Sequence, residues 1–128
     1  MNTVYLVILL ALVQFIYFTF RTAMTREKYD VQAPKTVGNE TWERIFRVQQ
    51  NTLEQMVVFI PGMLAFAHFL SPQWALLPGV LYLTGRQLYS YQYVSDPKKR
   101  GPGMGLTFLS NIALVLGAIV GLVMRMGS

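Results

Sequence analysis

Two long stretches without any charged residue restrict this chain more than any other feature. Residues 4–20 have only Gln14 and Thr19 as polar breaks, and residues 104–124 contain no charge. A helix needs about 17–25 mostly apolar residues to cross a bilayer, so each stretch is long enough to do so. The first has neither a basic beginning nor a small-residue cleavage site, which favours a retained membrane span over a cleaved signal peptide.

Two further apolar segments, at residues 56–70 and 74–93, bring the predicted number of membrane spans to four. Trp74 and Tyr93 stand at opposite ends of the third span, as expected for aromatic residues at the two membrane interfaces. Only 13% of the residues are charged, about half of the ~25% typical of soluble domains. We therefore predict an all-α integral membrane four-helix bundle, formed by residues 1–128 as a single domain.

The basic residues indicate on which side of the membrane each connection lies. The polar connection at residues 21–41 and the helix start after it hold six Lys or Arg, the connection at residues 95–103 holds three, and the opposite side has only Arg125. Cytoplasmic connections are enriched in Lys and Arg, so we expect both basic connections to be cytoplasmic. Next to membrane spans, such clusters indicate anionic lipid headgroups as partners and not nucleic acid.

The second helix is expected to begin near Thr41, a residue type suited to an N-cap. It is expected to continue through Pro61 and Gly62, which membrane helices tolerate. Gly117 and Gly121 form a GxxxG pattern in the fourth span, which is typical of close packing against a neighbouring helix.

Polar residues recur at helical spacing where the second helix enters the membrane. Arg44, Arg47, Asn51 and Glu54 are separated by three, four and three residues, which places them on one face. The solvated start of an amphipathic helix would explain this face. Ionisable groups at membrane depth, however, usually face a cavity or one another. Both interpretations stay open on the sequence alone.

A second polar face carries Arg86, Tyr89 and Tyr93 on the third helix. An interfacial aromatic belt, with Arg86 reaching to the headgroups, is the simpler interpretation. The predicted topology brings both faces and the basic connection to the same side of the membrane. Arginines suit carboxylates and a glutamate suits an ammonium group, so together the faces favour an anionic ligand that also carries an amine.

The chain has no cysteine, which excludes disulfides, thiolate metal sites and a cysteine nucleophile. His68 is the single histidine and has no second ligand at a suitable spacing, so we expect no metal site. Any thiol chemistry must therefore use a thiol that a substrate brings.

Two blocks of the sequence resemble the family of membrane-associated proteins in eicosanoid and glutathione metabolism (MAPEG), to which the microsomal glutathione transferases belong. The segment ERIFRVQQNTLE at residues 43–54 is similar to the family signature E-R-x-x-R-x-x-x-N-x-x-E. The segment GRQLYSYQY at residues 85–93, followed by Lys99 and Arg100, is similar to the second family block. The chain departs from the pattern at Gln55, where several members carry an aromatic residue.

The resemblance implies a homotrimer of four-helix subunits that binds glutathione as co-substrate on the cytoplasmic side. Arg100 is implied to be catalytic, facing the glutathione sulfur. The residues implied to bind glutathione are Arg47, Gln49, Asn51, Glu54, Arg86, Tyr89 and Tyr93. The implied reaction joins glutathione to apolar electrophiles from the bilayer, and the same thiolate would reduce lipid hydroperoxides.

Two other functions stay open. A non-catalytic scaffold that binds lipid or glutathione would keep this fold without the chemistry, although the presence of Arg100 and both tyrosines argues against it. A small transporter is expected to carry a carboxylate deep in the membrane, and Glu54, near the start of its helix, is the single candidate.

Overall fold

Four long α-helices make up the chain in the computed structural model, which describes residues 1–127. The helices are α1 (Asn2–Lys28), α2 (Glu40–Phe69), α3 (Leu76–Ser95) and α4 (Gly101–Met126), with a 3-10 turn at Pro97–Lys99. These residues contain no β-strand, so the prediction of an all-α chain is confirmed.

Three of the helical segments are long and apolar enough to cross a membrane, namely α1, α2 and the segment Pro97–Met126 that includes α4. Helix α3 does not reach the same mean hydropathy, because it carries Arg86, two glutamines and four tyrosines. Part of that polarity faces inward, since Arg86 and Tyr82 are completely buried. That α3, the third of the four predicted spans, crosses the membrane stays a prediction.

The connection between α1 and α2 is shorter than the sequence predicted. Helix α1 continues beyond residue 20 as far as Lys28, which leaves only residues 29–39 outside the two helices. Its last turns pack against α2. Trp42 Nε1 donates a hydrogen bond to the carbonyl oxygen of Thr22 at 3.0 Å, and the Arg26 guanidinium lies 4.4 Å from the Trp42 ring centre. These contacts stabilise helical turns in a stretch whose polarity had indicated a loop.

The predicted N-cap of α2 at Thr41 is wrong, because Asn39 occupies that position. Asn39 has an extended backbone, and its side-chain oxygen accepts a hydrogen bond from the backbone N–H of Trp42 at 3.0 Å. Asparagine caps helices at least as well as threonine, which explains why the helix can begin at this earlier position. Helix α2 then continues through Pro61 and Gly62, as predicted.

Glycines on α4 allow close approach to its neighbours. A Cβ atom on Gly117 would overlap the ring of Phe66, and one on Gly121 would overlap the backbone of Phe69, so the GxxxG face packs on α2 as predicted. A Cβ atom on Gly103 would overlap the backbone of Tyr89 on α3. Gly103 therefore sets the distance between α3 and α4 at the end of the bundle where the polar residues meet.

Candidate functional site

A cleft of about 310 Å³ lies at the end of the bundle where residues 29–39 and 96–100 connect the helices. It lies between the first half of α2, the last turns of α3 and the start of α4. The residues that line it are Arg47, Asn51, Tyr89, Tyr93, Arg100 and Met104. Five of the eight site residues predicted from the sequence therefore come together here.

Helical spacing explains why these side chains converge. Arg47 and Asn51 are one turn apart on α2, and Tyr89 and Tyr93 are one turn apart on α3. The two tyrosine rings stack with their centres 5.2 Å apart and their planes 8° from parallel. This stacking fixes one wall of the cleft. Val48 and Phe18, both completely buried, pack against Tyr89 behind it.

Arg86 lies behind the cleft and does not line it. Its side chain is completely buried, and it links α3 to both neighbouring helices. The guanidinium donates hydrogen bonds to Asn51 Oδ1 at 2.6 Å, to Thr52 Oγ1 at 3.3 Å and to Thr107 Oγ1 at 3.1 Å, and its remaining nitrogen contacts Met104 Sδ. The role that the structure supports for Arg86 is to position Asn51 and to place a positive charge beneath the cleft.

The same charge lies against the wall formed by the tyrosines. The Arg86 guanidinium carbon is 4.6 Å from the centre of the Tyr89 ring, a cation–π distance. Arg47, Arg86 and Arg100 thus surround the cleft, and none of its lining residues is a carboxylate. The cleft therefore has a positive potential suited to an anion.

Arg47 and Glu54 form an ion pair at the rim. Arg47 Nη1 lies 3.3 Å from Glu54 Oε1, and the two side chains are 48% and 57% exposed. Such an exposed pair contributes about 0–1 kcal/mol to stability. Both groups are therefore available to bind a ligand at little cost to the fold.

Gln49 points away from the cleft. Its side-chain amide donates a hydrogen bond at 3.3 Å to Thr19 Oγ1 on α1, on another face of α2. The structure of a single chain therefore does not bring Gln49 together with the other predicted residues.

Arg100 reaches the cleft because of the turn that precedes it. Asp96 caps this turn by accepting a hydrogen bond from the backbone N–H of Lys98 at 3.1 Å, and Arg100 then leads directly into α4. The side chain is exposed, and its nearest partner is the carbonyl oxygen of Pro97 at 3.5 Å. Arg100 thus lines the cleft without a carboxylate partner among residues 1–127.

A second polar cleft, of about 490 Å³, adjoins the first and shares Arg47 and Tyr93 with it. Its other walls come from α2 and the connections, including Glu40, Glu43 and Arg44. Arg44 donates a hydrogen bond to the carbonyl oxygen of Val94 at 3.3 Å, which ties α2 to the end of α3. The two clefts together form one polar depression at this end of the bundle.

Met104, Thr107 and Thr52 belong to the site but did not stand out in the sequence. Thr52 and Thr107 accept hydrogen bonds from Arg86, and Met104 lines the cleft. Two polar residues one turn apart, Thr107 and Asn111, indicated an inward face of α4, but the span around them is otherwise apolar. Among residues 1–127 no three His, Cys, Asp or Glu side chains lie close enough to hold a metal ion.

Known proteins are similar to this chain over most of its length. It is 38% identical to an uncharacterised protein of Synechocystis over 94% of this chain and 88% of that protein. It is 35% identical to human microsomal glutathione S-transferase 2 over 80% of this chain and 71% of that protein. It is also 30% identical to bovine leukotriene C4 synthase over 66% of this chain and 56% of that protein.

A profile of the MAPEG family matches residues 3–120, which include nearly all of α1, the whole of α2 and α3, most of α4 and every residue that lines the cleft. This match agrees with the resemblance found in residues 43–54 and 85–100, and MAPEG proteins are membrane-bound. The chain therefore belongs to the MAPEG family.

Proposed function

We propose that this protein is a membrane-bound glutathione transferase that binds glutathione in the cleft between α2, α3 and α4. The observation that carries the proposal is a cleft with three arginines around it, two stacked tyrosines and no carboxylate among its lining residues. Glutathione has two carboxylates and an ammonium group. Arg47 and Arg100 suit the carboxylates and the thiolate, and Glu54 at the rim suits the ammonium group.

The assignment of a reaction rests on Arg100. A free thiol has a pKa of about 8.5, so only a few per cent of glutathione is thiolate at pH 7. A guanidinium beside the sulfur favours the thiolate, and each unit by which the thiol pKa falls corresponds to about 1.4 kcal/mol. The thiolate then attacks an electrophilic carbon, forming a C–S bond while the leaving group departs with its electron pair. With a lipid hydroperoxide, two glutathione molecules would give glutathione disulfide, an alcohol and water.

The assembly and orientation that we propose follow the resemblance to the family. The protein forms a homotrimer, and its basic connections and the cleft face the cytoplasm, where glutathione is supplied. Nine of the eleven Lys and Arg residues lie at this end of the bundle, which supports the orientation. Relatives named glutathione S-transferase and leukotriene C4 synthase support a glutathione-dependent reaction on an apolar substrate.

Calorimetry with the detergent-purified protein tests the binding step, and turnover of 1-chloro-2,4-dinitrobenzene tests the chemistry. We expect saturable binding of glutathione and a conjugate that absorbs at long wavelength. S-methylglutathione is the matched control, because it keeps the carboxylates and the amine but cannot form a thiolate. It should bind without reacting. Binding without turnover would favour a scaffold that binds glutathione. No binding at millimolar glutathione would exclude the transferase and leave the lipid-binding scaffold.

A further inference from the structure

An apolar groove follows the outer face of the bundle between α2 and α4. It consists of two adjoining cavities of about 410 and 360 Å³ that share Val58 and Val115. The first begins at Gln55 and Phe108, and the second ends at Phe69 and Leu122. The groove therefore extends along the second half of α2 and the middle of α4, and it opens towards the surroundings of the bundle.

Two amide side chains interrupt this groove at its end nearest the polar cleft. Asn111 Nδ2 donates a hydrogen bond to Gln55 Oε1 at 3.0 Å, and the same nitrogen lies 3.5 Å from the Gln55 backbone oxygen. Asn111 is 6% exposed, and its Oδ1 atom is buried with no hydrogen-bond partner within residues 1–127. The Gln55 amide nitrogen has no hydrogen bond within residues 1–127 either. One acceptor, Asn111 Oδ1, and one donor, the Gln55 amide nitrogen, are thus left without a partner.

Unused polar groups at membrane depth are unfavourable, because lipid tails offer no hydrogen bonds. Side-chain amides do join membrane helices, and the Asn111–Gln55 bond accounts for one donor and one acceptor in that way. It does not account for the two groups that remain. Because Asn111 Oδ1 has almost no accessible surface, the amide has to turn slightly to meet a ligand. A hydroxyl group both donates and accepts, so a single hydroxyl in the groove would then satisfy both groups.

The amide pair lies close to the proposed reaction site. Gln55 follows Asn51 by one helical turn on α2, and Phe108 follows Met104 by one turn on α4. One turn corresponds to about 5 Å, or about four carbons of an extended acyl chain. A lipid whose reactive carbon meets the thiolate in the cleft would therefore carry a substituent some four carbons further along next to Gln55 and Asn111.

We propose that Gln55 and Asn111 bind a hydroxyl group on the acyl chain of the second substrate, so that the enzyme prefers hydroxylated lipid electrophiles. This rests on the proposed function, which supplies the thiolate. For an α,β-unsaturated aldehyde, the sulfur forms a bond to the β-carbon, the C=C electron pair moves to the α-carbon, and a proton from water restores the aldehyde. The hydroxyl is not consumed and serves only for recognition.

The test compares 2-dodecenal with 7-hydroxy-2-dodecenal, which differ only in a hydroxyl four carbons beyond the attacked atom. We expect kcat/KM to be about 10-fold higher for the hydroxylated aldehyde, the scale of two neutral hydrogen bonds. The double variant Gln55→Met, Asn111→Leu should bring this ratio to about one and leave turnover of 2-dodecenal unchanged. Each single variant should give an intermediate ratio, which keeps the test valid if the double variant folds poorly.

Gln14→Leu is the matched control, because Gln14 is also an amide within a membrane span but lies outside the groove. It donates hydrogen bonds to the carbonyl oxygen of Leu83 and to Gln87. This variant should keep the wild-type ratio. A ratio of one in the wild type, or an equal loss for both aldehydes in the groove variants, would overturn the proposal, because the pair would then only join α2 to α4.

Binding is measured separately, so that failure of the chemistry does not obscure the result. Methyl dodecanoate and methyl 7-hydroxydodecanoate, which glutathione cannot attack, should displace a fluorescent acyl probe with the same preference and the same dependence on Gln55 and Asn111. If this preference holds without conjugation, the proposed function fails and the hydroxyl site stands. Disulfide cross-linking of Ile112→Cys between two copies of the chain tests whether a neighbouring chain fills the groove. Complete cross-linking that the hydroxylated ester does not reduce would overturn the hydroxyl site.

Discussion

Arg86 on α3 donates a hydrogen bond of 2.6 Å to Asn51 Oδ1 on α2, directly behind the cleft. The contact ties a fully buried cation to a residue that lines the candidate site. Arg86 therefore orients Asn51 and leaves the Asn51 amide nitrogen for a ligand. The ligand need not contact Arg86 itself.

We therefore predict that Arg86→Lys destabilises the ligand-free protein by about 1.5–3 kcal/mol, the scale of a hydrogen bond to a charged group. A lysine ammonium cannot bridge Asn51, Thr52 and Thr107 with the planar geometry of a guanidinium. Thermal unfolding in detergent measures the effect, with Lys98→Met, an exposed cation, as control. Unchanged melting of Arg86→Lys would show that the network contributes little.

Arg47 and Glu54 should affect ligand binding more than folding. Arg47→Ala or Glu54→Ala is expected to weaken glutathione binding by about 1.5–3 kcal/mol. Melting without ligand should change little, since the pair is about half exposed. Calorimetry and thermal unfolding of the same samples separate the two effects. Loss of the folded assembly in both variants would instead support a structural ion pair.

The orientation in the membrane can be measured by cysteine labelling, because the chain contains no native cysteine. Lys98→Cys lies in the connection before α4, and Gln73→Cys lies in the turn at the other end of the bundle. An impermeant maleimide added to intact cells should label Gln73→Cys and spare Lys98→Cys. The reverse pattern would mean that the cleft faces outward.

Long apolar stretches in the sequence predicted the four helices, and helical spacing singled out four of the six residues that line the cleft. The resemblance to the family added a fifth, Arg100. Spacings of three and four residues place Arg47 with Asn51 and Tyr89 with Tyr93 in any helix, whatever packs against it. The inward position of Arg86 was not predictable in this way, because it depends on Thr107, which lies 21 residues away on α4. The direction of the Gln49 side chain was not predictable either, because it depends on Thr19 on another helix, α1.

The boundaries of α1 and α2 show another limit of local reasoning. Residues 21–28 are polar and therefore indicated a loop. They are helical in the structure, where Thr22 and Arg26 contact Trp42 on α2. Local polarity does not report contacts with a residue on another helix.

We propose that Arg100 stabilises the thiolate of bound glutathione, and titration of that thiol measures this effect. Thiolate absorbance near 240 nm reports the ionised fraction of the bound ligand. Because the Arg100 charge favours the anion, the pKa of the bound thiol should lie below that of free glutathione. Arg100→Ala should raise this pKa, lower kcat at pH 7 and leave the KM for glutathione almost unchanged.

Lys98→Ala is the matched control for this titration, since Lys98 is an exposed cation in the same turn but does not line the cleft. We expect a wild-type thiol pKa and wild-type turnover for Lys98→Ala, and a raised thiol pKa with slow turnover for Arg100→Ala. An unchanged pKa of the bound thiol in Arg100→Ala, together with full turnover, would show that Arg100 does not stabilise the thiolate and is only a headgroup anchor.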